Sequence, residues 1–198
     1  MTRANRRRRA LTASIFACGL VLLAGTEPAI AAEEFRVTGG ELVCGTNTAP
    51  SESGVAPYGD CLQIGPVRIG ETLRDVAMRF GRAGKTVRQG SVTYRVWPVN
   101  LKVPPGTSLP YWVIGFDDNR RVVSIQLTGD RPVDRYDFSS LRLGDPEDRV
   151  REILGDPSDT EPVPQVGAEM WVWRPYPVTL EIKNGRVYSM RVTHATGP

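Results

Sequence analysis

The sequence predicts an α+β protein: two tandem repeats, each a short helix packed on a three-stranded antiparallel β-meander, after a disulfide-clipped N-terminal segment. Three observations predict it: an internal echo, short amphipathic stretches with end signals, and runs of period-two alternation. In the echo, Val67-Arg68-Ile69-Gly70 returns as Leu141-Arg142-Leu143-Gly144, and each of those glycines is followed eleven residues later by another, Gly81 and Gly155. Val76 matches Val150, and Phe80 matches Leu154. A second block, Asn119-Arg120-Arg121-Val122-Val123-Ser124-Ile125, is echoed by Asn184-Gly185-Arg186-Val187-Tyr188-Ser189-Met190, offset by one residue. Two blocks in one order predict repeats over 66–130 and 139–194.

Each repeat opens with a helix. Thr72 and Asp75 form a capping-box-like pair, and Leu73, Val76, Ala77 and Phe80 fall on one helical face. In the second repeat Asp145 suits the cap and Pro146 the first helical position, with Glu147 and Asp148 at the positive end of the dipole. Val150, Ile153 and Leu154 share a face, and Gly155 supplies the stop. Helices this short need a surface to pack on. Strands supply it: 91–97, 111–116 and 122–128 in the first repeat, and 170–174, 178–183 and 186–193 in the second. Asp117-Asp118-Asn119 and Lys183-Asn184-Gly185 read as turns. Val123, Ile125 and Leu127 point one way, as do Tyr188, Met190 and Val192. Ser124, Gln126 and Thr128 point the other, with Ser189, Arg191 and Thr193. One sheet side is therefore expected under a helix and the other open to water or a partner.

Residues 1–31 read as a cleaved secretory signal peptide: Arg3 and Arg6–Arg9, an apolar run from Ala10 to Ala24, then Ala29-Ile30-Ala31. The run is shorter than the about 20 residues a spanning helix needs, and no transmembrane segment is expected in the mature chain. Arg8-Arg9 is a partial match to twin-arginine export, and Cys18 in its apolar context is a poor lipid-anchor site. Removing five arginines and Glu27 from the 25 basic and 22 acidic residues leaves 20 against 21. The mature chain is therefore close to neutral, with no basic cluster to track phosphates, so nucleic acid is not an expected partner. Cys44 and Cys61 remain as a pair in segment 32–65; in an oxidising compartment they read as one disulfide, with two free thiols the alternative.

Catalytic motifs are faint. Gly84-Lys85-Thr86 ends like a phosphate loop, but Arg79 stands where that motif needs glycine. His194, the only histidine, has no evident nucleophile or orienting partner in the sequence. Asp117, Asp118, Asp130, Asp134, Asp137, Asp145 and Asp148 suit turns and caps, although two carboxylates facing across a cleft would serve a hydrolase. No metal or cofactor is expected. The candidate partner-binding residues are aromatic and polar: Trp97, Tyr111, Trp171, Trp173 and Tyr176 on or beside strands, with Gln126, Glu181 and Arg191 on the expected open face. For each tryptophan, core burial is the competing reading. Val103-Pro104-Pro105-Gly106 and Pro162-Val163-Pro164 read as loops between strands.

Gly144-Asp145-Pro146-Glu147-Asp148-Arg149-Val150, then Leu154-Gly155-Asp156-Pro157, an aromatic strand and Asn184-Gly185-Arg186-Val187, resemble the SmpA/OmlA (BamE) type of outer-membrane assembly lipoprotein. Two such units in one exported chain are similar to the β-lactamase inhibitor protein family. The resemblance implies a partner-binding module with neither cofactor nor catalytic residues: an inhibitor of an extracytoplasmic enzyme, or an envelope-assembly adaptor. A periplasmic small-ligand or glycan-binding domain is the alternative, and a carboxylate-based hydrolase the third reading.

Overall fold

Alternating apolar and polar residues form strands along much of the chain, and the protein is mostly β. The computed structural model describes residues 34–38, 41–44, 61–102 and 108–194. The expected signal peptide, with Cys18, and the proline-rich stretch at 103–106 lie outside those residues. In chain order the elements are β1 (Phe35–Thr38), β2 (Glu41–Cys44), β3 (Gln63–Ile64), β4 (Val67–Arg68), α1 (Leu73–Phe80), β5 (Lys85–Gln89), β6 (Val92–Pro98) and β7 (Tyr111–Phe116). Then come β8 (Val122–Thr128), α2 (Glu147–Leu154), β9 (Asp159–Val163), β10 (Ala168–Val172), β11 (Val178–Lys183) and β12 (Arg186–Thr193).

Eight strands join in one antiparallel sheet, ordered β5-β6-β7-β8-β12-β11-β10-β9. This corrects the expected fold class, because two helix-on-three-stranded-meander repeats do not form. The cause lies at the centre, where β8 and β12 pair along their length, with Thr128 opposite Ser189 and Ser124 opposite Thr193. Held apart, each strand would carry a row of unpaired backbone donors and acceptors. The edges add β5 and β9, which the sequence does not announce. Every residue of β5 is exposed, as are all but the last of β9, so neither has a buried face to impose alternation. Pro162 and Val163, expected in a loop, belong to β9, and an edge strand tolerates a proline.

Both helices cover the same sheet face. Thr72 caps α1, its Oγ1 accepting from the Asp75 backbone N–H at 3.3 Å and donating to Asp75 Oδ2 at 2.6 Å. The Phe80 ring then lies 6.1 Å from Trp97 and 5.5 Å from Trp112. In α2 the cap position falls on Pro146, with no side-chain cap bond. The expected cap, Asp145, is engaged elsewhere: its carbonyl accepts from the Val187 N–H at 2.8 Å and its carboxylate from the Arg142 N–H at 2.9 Å. Gly81 and Gly155 end the helices with φ of 75° and 73°, a left-handed bend that side chains resist. Each also receives an indole. Trp97 Nε1 donates to the Gly81 carbonyl at 3.1 Å, and Trp173 Nε1 to the Gly155 carbonyl at 3.3 Å.

Two β-bulges alter which residues are buried. Register shifts between Gly115 and Phe116 on β7, and between Glu181 and Ile182 on β11. Val122 and Val187 therefore enter the core, where simple alternation places Val123 and Tyr188. The N-terminal segment completes the covered side. The Cys44–Cys61 disulfide joins β2 to the approach to β3, with Cα atoms 5.9 Å apart. Phe35 on β1 packs 5.9 Å from both the Phe138 and Tyr176 rings, and its N–H donates to Ser139 Oγ at 2.8 Å. Leu62, Ile64 and Val67, buried around β3 and β4, close the core where β3 meets β8 and β12.

Candidate functional site

Among the described residues no helix covers the opposite sheet face, and register decides what it displays. Residues paired across antiparallel strands share a face. From Tyr94 on β6 the row runs through Gly115 on β7 and Ser124 on β8 to Thr193 on β12. The neighbouring row runs from Val96 through Val113 and Gln126 to Arg191, then to Thr179 on β11 and Val172 on β10. A third joins Tyr111, Thr128, Ser189, Glu181 and Met170.

Apart from Gln126 and Arg191, small residues occupy the middle of this face and larger ones its flanks. A Cβ on Gly115 would meet Tyr94 Cε1 and Val92 Cγ1 at 3.0 Å, so the missing side chain lets the Tyr94 ring lie over the strand. Gln126 Nε2 donates to Thr128 Oγ1 at 3.1 Å and to Ser189 Oγ at 2.9 Å, and the two hydroxyls lie 2.9 Å apart. That network satisfies the polar groups along the β8–β12 seam. A hollow lies on either side of it. One, about 490 Å³, is lined by Val92, Tyr94, Arg121, Ser124 and His194 among others. The other, about 650 Å³, is lined by Glu161, Met170, Val172, Arg174 and Tyr176 among others. Arg191 and Thr193 line both.

Electrostatics single out Arg191. It is exposed, and among the described residues its guanidinium makes no hydrogen bond or close ion pair. Its acidic neighbour is Glu181, half-buried on β11; burial raises the Glu181 carboxyl above its ordinary 4.5, while Arg191 pulls it down. Further along the face Lys183 Nζ sits 4.7 Å over the Tyr188 ring and 2.7 Å from Asp130 Oδ1.

The expected site residues divide between the two faces. Tyr111, 37% exposed, lies on the open face with Gln126, Glu181 and Arg191. Trp97, Trp171 and Trp173 are 2%, 1% and 3% exposed and belong to the core under the helices, so the tryptophans are not contact residues of this face. Arg151 stacks over Trp171 at 4.4 Å and covers it from the helix side. Tyr176 is half-buried, with one contact to Phe35 and another to the larger hollow. Sequence reasoning passes over Tyr94, Arg121 and Met170, and finds no partner for His194. Alternation back from Trp97 places Tyr94 on the other face, which is the signal that finds it. No group of three or more metal-ligating side chains occurs among the described residues, and no helix there is long and apolar enough to cross a membrane.

The chain matches no protein-family profile and no curated protein. It is similar to a crystal structure of a DUF4309 family protein, YjgB, from Bacillus subtilis, at 17% identity, over 63% of this chain and 78% of that one, with a TM-score of 0.44. That likeness is too distant to bear on function.

Proposed function

We propose that this is an exported, non-enzymatic protein-binding module that docks a protein partner against its open sheet face. It acts as an inhibitor of an extracytoplasmic enzyme or as an envelope-assembly adaptor, the roles implied by the resemblance to the SmpA/OmlA (BamE) and β-lactamase inhibitor protein families. The observation that carries the reading is Arg191, at the junction of two hollows, whose guanidinium is unpaired and whose sheet face is clear of helix among the described residues. Arginine and tyrosine in such a position are the side chains from which interfaces draw most affinity. The Cys44–Cys61 disulfide fits an oxidising compartment. Glycan stacking on tryptophan loses its support, since Trp97, Trp112, Trp171 and Trp173 are all buried.

The test is affinity capture from envelope extract with mass spectrometry, followed by titration of the captured protein. Arg191→Ala is expected to weaken binding by about 2 kcal/mol, roughly thirtyfold, and Tyr111→Ala by about 1 kcal/mol. Neither side chain belongs to the core, so both variants should stay folded, with far-ultraviolet circular dichroism like the parent's, and Tyr111→Ala should also keep its melting temperature. If both bind as the parent does, the face is misassigned.

A further inference from the structure

Resting on the open-face reading, we infer that the hollow between β6 and β12 receives an acidic side chain of the protein partner, gripped by Arg191 and flanked by apolar residues of the same partner segment. The charges around the hollow are unbalanced. Arg121 and Arg191 line it, and Asp117 is the one carboxylate among its lining residues. Asp117 Oδ1 accepts the Arg121 backbone N–H at 2.7 Å, and one carboxylate against two arginines leaves the lining net positive. Arg121 spends Nη1 on the Gly70 carbonyl at 3.0 Å, which leaves its charge unneutralised. Glu181 lies on β11, on the far side of β12 from the hollow. Among the described residues Arg191 thus lines the hollow without a hydrogen bond or close ion pair.

The commitment to an acid follows from what docking does to that group. A partner covering this face removes Arg191 from water, and an arginine buried unpaired is strongly unfavourable. Complementarity therefore requires the partner to supply an acceptor, and a carboxylate meets the guanidinium fork with two parallel hydrogen bonds. The walls specify the rest. Val92 and Tyr94 present apolar surface on one side of Arg191, Met170 and Val172 on the other. A segment with apolar residues on both sides of one Asp or Glu matches that sequence of surfaces.

NMR titration of the full chain tests this with two capped pentapeptides, acetyl-Leu-Ser-Glu-Ser-Leu-amide and acetyl-Leu-Ser-Gln-Ser-Leu-amide, whose alternation puts the acid and both leucines on one side, and with inorganic phosphate. The glutamate peptide should shift the Arg191 side-chain N–H and the Tyr94 and Thr193 amides, and bind about tenfold more tightly than the glutamine peptide. Arg191→Gln should abolish that preference, and Arg191→Lys, which keeps the charge without the fork, should retain part of it. Equal binding of the two peptides, no shift with either, or phosphate binding as tightly as the glutamate peptide would each overturn the inference. Failure of the underlying reading looks different. If Tyr111→Ala weakens capture of the partner and Arg191→Gln does not, the face stands and the acidic anchor falls; if neither matters, the face itself is wrong.

Discussion

Glu181 and Arg191 share the open face on adjacent strands, and the Arg191 charge acts on the Glu181 carboxyl. Burial makes the Glu181 carboxyl hold its proton above the ordinary 4.5, against the pull of Arg191. The unfolded chain releases that proton nearer 4.5, so between the two values the folded chain binds more protons. Stability from this group is therefore complete below 4.5 and declines as pH rises through the folded value. Glu181→Gln removes the decline. Its melting temperature should gain on the parent's as pH rises above the ordinary 4.5, and the gap should close at the acid end. Arg191→Ala takes away the counteracting charge, so the Glu181 midpoint, followed by carboxyl NMR, should move further up. A midpoint that does not respond would mean the two side chains are screened from each other. Sequence alternation is enough to place Tyr111, Gln126, Glu181 and Arg191 on one face. It cannot separate a buried tryptophan from a docking tryptophan, because both sit on the same strands with the same spacing; only the helices over Trp97 and Trp171 decide that.

At the scale of elements, legibility tracks burial. α1 is legible because Thr72 and Asp75 carry its start in their own side chains. Thr72→Ala should cost about 1 kcal/mol in urea unfolding, and Thr72→Ser should restore most of it; no loss on removing the hydroxyl would show the cap to be idle. The start of α2 is displaced by one residue because the backbone of Asp145 is already paired to β12, a long-range bond that no local pattern records. β6, β7, β8, β11 and β12 are legible as alternating runs with a covered face. β5 and β9 are not, since edge strands exposed on both sides can take any polar sequence. The bulges are hidden for a related reason: a one-residue slip leaves composition unchanged while exchanging Val123 for Val122 and Tyr188 for Val187 in the core.

Across the whole molecule, the echoed blocks occupy matching places. The Gly70 N–H donates to the Val122 carbonyl and the Gly144 N–H to the Val187 carbonyl, both at 2.8 Å. What the echo could not reveal is that β8 and β12, read as the last strands of separate units, fuse into one sheet. The seam determines how the molecule should unfold. It is hydrogen-bonded through the backbone, buttressed on the open face by Gln126, Thr128 and Ser189, and closed on the other by Ile125, Leu127, Met190 and Val192 above β3. Neither half can unfold without exposing the other's seam strand and its buried apolar row, so the two should unfold in one cooperative step. The four tryptophans allow this to be measured, because Trp97 and Trp112 report on one half and Trp171 and Trp173 on the other. A chain carrying Trp171→Phe and Trp173→Phe has tryptophan fluorescence, excited selectively over tyrosine, only from the first half, and Trp97→Phe with Trp112→Phe only from the second. Within each variant, the urea transition followed by fluorescence should coincide with that followed by far-ultraviolet circular dichroism, even though the substitutions lower the midpoint. A fluorescence transition that separates from loss of the sheet signal in either variant would mean that the seam is a docking contact between two folding units, and that the open face rests on halves able to part.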